Sequence, residues 1–362
     1  MSATTRTTPG PTAGLGTAPR AATGRPHPLR SELNRLRHRR LVLLVVGLGF
    51  AALVAALVIV FFTHSTDVAG ARQEASVAAQ QAARDQQQYR TQCLADPTIP
   101  QAAKDDGACG PPDDQIPTAQ DFYRDPRLHA DVGLPAIAIG VAVGGALVAA
   151  LVGATGVGAD WSSRTIITLL TWEPRRVRLL GRRHLAIAIA VAVIGVVAQL
   201  AGLALGALVV AARGTWERTA GTALIPPGHF WRDLVSLEAR GVLLMVVVAV
   251  LSAALTTVTR HTGGTLGIAF AWFAVVENAV RIIFTDRGWP RWLVTENVVA
   301  FLSPGGQRMM TASPSAGSGS SMGPVEGGRT VLVSNLDALL YLGVLTAVAI
   351  VLAGVLLRRR DL

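Results

Sequence analysis

Glu277 and Arg281 stand four residues apart inside an otherwise apolar run, on one face of any helix built there. Burying either charge alone in a bilayer costs at least ~2.5–3.5 kcal/mol, whereas an i, i+4 pair satisfies itself. They read as a structural ion pair near the outer interface, with a polar patch lining a translocation path as the alternative. Gln199, in another apolar run, suits an interhelical hydrogen bond better than a substrate contact. Cys93 and Cys109 are the only cysteines, too few for a thiolate zinc cage. His27, His38, His64, His129, His184, His229 and His261 are scattered without HExxH spacing, so no metal site is expected. Membrane hydrolases and transferases need clustered acids, or His or Ser/Lys dyads, at a membrane face. Glu277 is the one acid inside an apolar run, which disfavours such an enzyme. No GxxxxGK[ST] phosphate loop occurs, and Lys104 is the sole lysine.

The segment richest in polar chemistry is GADWSSRTIITLLTWEPRRVRLLGRRH, residues 158–184. Asp160 suits an N-cap or first-turn acid. After Trp161, the apolar residues Ile166, Ile167, Leu169 and Leu170 alternate with Ser162, Ser163, Arg164, Thr165 and Thr168 in a helical pattern. Pro174 disfavours a helical Glu173 and ends the helix. Arg175, Arg176 and Arg178 then lead to Arg182 and Arg183. Such a helix, stopped by a proline turn, can dock in another protein's groove. It can equally be a positive loop that only fixes topology, and the residues alone leave both readings open.

What must position these residues is a membrane-embedded scaffold. Of the 362 residues, 51% are hydrophobic and 15% charged, with a mean hydropathy of +0.43. Soluble domains carry about 25% charged residues. Six apolar runs, near 41–62, 133–157, 185–212, 241–259, 264–284 and 337–357, are each long enough to cross a bilayer core of roughly 30 Å. The first follows Arg39-Arg40, lacks an A-x-A cleavage pattern and is longer than a signal-peptide core, so it is read as a retained span. With the N-terminus inside, the inner segments hold 18 arginines and 4 acids, and the outer ones 14 basic residues and 18 acids. Positive charge on the cytoplasmic side is the expected bias, so both termini are expected to be cytoplasmic. The formal charge of +10 is then a topology signal, and nucleic acid is not an expected partner.

Residues 1–25, rich in Thr, Pro, Gly and Ala, are expected to be a disordered cytoplasmic tail. Residues 26–40 place Leu29, Leu33 and Leu36 at i, i+4 and i+7 among arginines, which predicts an amphipathic helix on the membrane surface, or a solvated basic anchor. The outer loop 63–132 begins with an Ala/Gln-rich helix from about Val68 to Tyr89, and its Pro/Asp/Gly-rich second part contains both cysteines. A Cys93–Cys109 disulfide is chemically permitted outside the cytoplasm. WPRWLVTENVVAFLSP, starting at Trp289, is apolar but too short to cross, and predicts a re-entrant or surface helix on the outer face. Residues 311–328 are Ser/Gly-rich and read as a mobile loop. The small-residue runs 140–145 and 202–206 suit close helix packing.

The 158–183 segment resembles the permeases of ATP-binding-cassette (ABC) exporters of the type-two family, whose G-x-E-x-x-x-G-T-x-x-x-L-L-x-x-P-x-x-R pattern precedes the third span. Gly158, Asp160, Thr165, Leu169, Leu170, Pro174 and the following arginines fall on matching features. Ser31-Glu32-Leu33 with Arg35-Leu36-Arg37 resembles the family's elbow helix, and Leu357 to Leu362 resembles its usual ending. The departures are Asp160 for the commoner Glu, Arg164 where a Gly usually precedes the Thr, and arginine for the usual Lys near 183. In addition, three residues separate Leu170 from Pro174, and the loop 63–132 is unusually long.

The resemblance implies an all-α integral membrane protein with six transmembrane helices, an elbow helix at 26–40 and a permease domain over 41–362. It implies a short coupling helix between spans two and three, and a multi-pass place in the cell membrane. It implies no catalytic residue and no cofactor in this chain, ATP and its Mg²⁺ belonging to a separate cytoplasmic ABC ATPase subunit. A second permease subunit, identical or different, and membrane lipids complete the expected partners. The expected ATPase-coupling residues are Asp160, Trp161, Arg164, Thr165, Leu169, Glu173, Pro174, Arg175, Arg176 and Arg178. Leu302-Ser303-Pro304-Gly305-Gly306-Gln307 looks like the LSGGQ signature of the ATPase partner, but it carries an inserted proline and falls outside, so it is read as chance. The competing reading is a sensor or scaffold built on loop 63–132. An ion-driven transporter is disfavoured, because there is one intramembrane ion pair and no inverted repeat.

Overall fold

A computed structural model describes residues 28–105, 107–110, 117–163, 176–217, 225, 227–284, 289–311 and 329–359. The chain enters through α1 (Pro28–Arg37), whose Leu29, Leu33 and Leu36 pack into an apolar cluster with Val42, Val157 and Ile187. The three-leucine stripe is therefore the face that docks on the bundle. After a bend at His38 and Arg39, α2 (Arg40–Thr63) forms the first long apolar helix.

Outside the bundle, α3 (Val68–Ala95) starts where Asp67 accepts a hydrogen bond from the Gly70 amide, satisfying one of the free N–H groups of a helix start. It extends past the expected Tyr89 because its last turn carries Cys93, which is bonded to Cys109 across a Cα–Cα distance of 5.4 Å. Both cysteines are buried. The short helices α4 (Gln101–Asp105) and α5 (Ala119–Phe122) follow, the second opened by a Thr118/Asp121 capping box.

Strand β1 (Leu128–His129) leads into α6 (Ala130–Ser162), and α7 (Arg176–Arg213) ends in β2 (Gly214–Thr215), which pairs with β1 in parallel. Next come α8 (Phe230–Thr259) and α9 (Thr262–Ile283), the latter interrupted by a π-helical turn at Trp272–Val276. The segment that follows holds α10 (Val294–Leu302) and β3 (Gln307–Thr311), paired antiparallel with β4 (Arg329–Val333), before α11 (Asn335–Arg359). These two short strand pairs are absent from the all-α expectation. Each is too brief to give a strong alternating pattern.

Among the described residues six helices, α2, α6, α7, α8, α9 and α11, are long and apolar enough to cross a membrane; five contain an expected run whole, and α9 covers the fifth run up to Ile283. Helix α8 is central, with 56% of its apolar window buried, against 11% for α2 and 6% for α9. Close packing on α8 depends on small residues. At Gly153 a Cβ would overlap the Ala249 carbonyl, so α6 and α8 touch through backbone there. Ser252 Oγ reinforces the seam by donating to the Ala150 carbonyl at 2.8 Å. One core cluster, around Leu134, Leu234 and Leu244, fills one half of the bundle, and a second, around Val152, Ile187 and Ala249, fills the opposite, arginine-rich half.

Candidate functional site

At the arginine-rich end of the bundle, Asp160 lies in the last turn of α6. This corrects the expectation of an N-cap or first-turn acid in a new helix. A carboxylate near a helix C-terminus opposes the helix dipole, and here three guanidinium groups reverse that balance. Arg35 Nη2 lies 2.5 Å from Oδ1 and Arg39 Nη2 2.8 Å from the same oxygen, while Arg183 Nη2 lies 2.6 Å from Oδ2. The Asp160 side chain is 3% exposed and that of Arg183 5%. Arg39 also donates from Nη1 to the carbonyls of Thr155 and Gly156, at 3.0 and 2.9 Å. A single buried carboxylate thus joins α1, the α1–α2 bend, α6 and α7.

Trp161 follows on α6, packed between two apolar clusters, with the Arg260 guanidinium 4.8 Å from its ring centroid. Arg260 is the left-handed C-cap of α8, at φ 58°, so this contact ties the α8–α9 turn to the end of α6. Arg178, near the start of α7, is exposed, and Arg176 is the first residue of that helix. The expected coupling residues Arg164, Thr165, Leu169, Glu173, Pro174 and Arg175 lie outside the described residues.

The site residues not foreseen are Arg39 and Arg260, and the joint role of Arg35 with Arg183. The i, i+4 spacing of Arg35 and Arg39 was the available signal. It places both on one face of the entry segment, on the same side as an acid more than a hundred residues away.

At the other end, Glu277 is 1% exposed and accepts from Trp272 Nε1 at 3.2 Å, from the Val294 amide at 2.9 Å and from the Thr295 hydroxyl. Arg281 pairs with Glu296 at 2.8 Å and donates to Thr295 Oγ1. Thr295 therefore bridges the two charges expected to pair directly, and both hold α10 against the C-terminal end of α9. Gln199 is buried, with Nε2 reaching the Ala138 carbonyl of α6 at 3.5 Å. The loop ahead of α6 is fixed by Arg127, which bonds Asp125 at 2.8 Å and Glu217 at 3.3 Å, with His129 Nε2 3.2 Å from Asp125. The side-chain hydrogen bonds from Arg127 hold the Asp125 carboxyl well below the usual carboxylate range. Among the described residues no group of His, Cys, Asp and Glu is arranged to hold a metal ion.

Six apolar helices among the described residues, an N-terminal helix docked on them and an arginine-rich end agree with one comparison. Residues 33–362 match the family described as ABC-2 family transporter protein. The chain belongs to the ABC-2 transporter family. No curated protein and no solved structure matches it. As an ABC-2 membrane protein with six candidate spans, it is a multi-pass permease. The ABC-2 match begins within α1 and takes in Asp160, its three arginines and all six long helices. Membership in the ABC-2 family implies partnership with an ABC ATPase.

Proposed function

We propose that this chain is the transmembrane subunit of an ABC exporter, with both termini cytoplasmic and ATP hydrolysed by a separate docked subunit. The observation that carries the reading is the ABC-2 family match over 33–362, in a sequence without a phosphate loop. The ATPase docks on the 160–178 segment, and two permease subunits, identical or different, frame the path.

The Asp160 cluster gives this reading a mechanical form. A push on the chain after Ser162 reaches Asp160 within three residues, and from there α1 through Arg35 and Arg39, and α7 through Arg183. The end of α6 therefore moves together with the entry helix and the third span. Trp161 and Arg260 extend the same coupling to the α8–α9 turn. No catalytic group is required, because nucleotide-driven closure of the ATPases supplies the work.

The test is affinity purification of the tagged protein in mild detergent, with the eluate assayed for a co-purifying ATPase. The same purification is run with Arg164, Arg175 and Arg176 changed to Glu. An ATPase retained by the unmodified chain and lost from the charge-reversed one supports the reading. No ATPase in either eluate, with the fold intact, would instead favour a sensor or scaffold built on the disulfide-closed outer loop.

A further inference from the structure

We propose that the cleft between α1, the start of α2 and the end of α6 binds the phosphate headgroup of an anionic phospholipid. The cleft has a volume of about 600 Å³ and is lined by Arg35, Arg39, Arg40, Leu41 and the Ser162–Ser163 end of α6. This volume lies in the range of small-molecule sites. Arg35, Arg39 and Arg183 share the single Asp160 carboxylate, and Glu32 is the only other acid on the adjoining wall. With Arg40 included, positive charge exceeds negative by two. Arg40 is exposed and makes no side-chain hydrogen bond or ion pair among the described residues.

Of the two helix ends at the cleft, the start of α2 favours an anion, and side-chain donors reach carbonyls near the end of α6. The Ala159 carbonyl already accepts from the hydroxyls of Ser162 and Ser163, and those of Thr155 and Gly156 accept from Arg39. The first turn of α2 has no side-chain cap, so its free N–H groups add partial positive charge beside Leu41 and Val42.

A lipid fits better than free phosphate because the cleft continues into an apolar track. Leu41, Leu44 and Leu48, at i, i+3 and i+7 of α2, are 52%, 56% and 62% exposed. A phosphate seated at Arg40 leaves an acyl chain lying along these leucines at the membrane boundary. Basic pockets between membrane helices are suited to such headgroups. The inference needs only the membrane location and is independent of any ATPase partner.

The test uses the purified full-length protein in detergent, with bound lipid counted by native mass spectrometry. Dioleoylphosphatidylglycerol is compared with dioleoylphosphatidylcholine, and inorganic phosphate is titrated separately by thermal shift. Retention of phosphatidylglycerol over phosphatidylcholine is expected, and Arg40→Gln should weaken it about fivefold, the worth of one arginine beside an anionic surface. Arg40→Lys should keep most of the binding. Arg40 lies outside the Asp160 cluster, so the lipid-free melting temperature of Arg40→Gln should equal that of the unmodified protein. Should it fall, Leu44→Ser, on an exposed face, tests the acyl track alone and should reduce lipid retention. Equal retention of both lipids, or retention indifferent to both substitutions, overturns the site. Inorganic phosphate binding as tightly as phosphatidylglycerol would assign the cleft to free phosphate and overturn the lipid reading.

Discussion

Asp160 and Arg183 meet at 2.6 Å with their side chains 3% and 5% exposed, and this contact fastens the end of α6 to the start of α7. Removing one member of a buried ion pair leaves the other charge uncompensated, at a cost of about 3–5 kcal/mol. Asp160→Asn leaves three guanidinium groups facing a neutral amide. A large fall in the melting temperature of the detergent-solubilised protein is expected, with Asp160→Glu retaining most of the stability. A melting temperature unchanged in Asp160→Asn would remove this carboxylate from the architecture of the arginine-rich end.

The α6–α8 seam offers a substitution with a built-in control. Gly153 faces the Ala249 carbonyl, whereas a Cβ at Gly144, on the same helix, meets nothing within 4 Å. Gly153→Leu should destabilise by at least about 1–3 kcal/mol, the usual cost of overpacking. Gly144→Leu should be close to neutral. Equal melting temperatures for the two variants would place the seam elsewhere.

The Cys93–Cys109 bond closes a loop with a sequence separation of 16. On chain entropy, such a closure is worth about 3 kcal/mol. Replacing both cysteines by Ser should leave the six long helices folded while making the 96–109 segment much more sensitive to protease. Unreduced and reduced unmodified protein should differ in the same way. Protease patterns that ignore reduction would show that the rest of the 63–132 segment holds this stretch without the bond.

Acid should weaken the anchor ahead of α6. Hydrogen bonds from Arg127 lower the folded pKa of Asp125, so its contribution is complete above the ordinary aspartate value of about 3.9. It is lost as pH falls below that value toward the lowered folded one. Melting curves of the unmodified protein and of Asp125→Asn should therefore differ near neutral pH and converge in strong acid. Curves separated by a constant interval at every pH would contradict the assignment.

The parts of this fold visible in the sequence are those decided locally. A mean hydropathy of 1.7 to 3.0 over the best window of each candidate span marks all six; the Leu29/Leu33/Leu36 stripe marks the apolar face of α1, expected on a membrane surface and found packed on the other helices. Local rules misplace Asp160, because an acid followed by an apolar pattern reads as a helix start. Its neutralisation by Arg35, Arg39 and Arg183 is tertiary, and it lets α6 run on to Ser162. Glu277 and Arg281 were visible as a polar pair in an apolar run. Their partners Thr295 and Glu296 come from a separate helix, α10, that no i, i+4 rule reaches. The two strand pairs, with partners far apart in sequence, were illegible for the same reason.

The spacing of the Asp160 cluster along the chain also has a consequence for biogenesis. Arg35 and Asp160 are separated by 125 residues. A ribosome adding about 5–20 residues per second needs roughly 6–25 s to span that interval. Throughout it, Arg35 and Arg39 lack the carboxylate that later neutralises them, and stand as bare charge beside the newly made first apolar helix. The clasp that ties α1 and the α1–α2 bend to α6 therefore closes only after α6 has been made, and the first apolar helix is complete before the contact that anchors its entry.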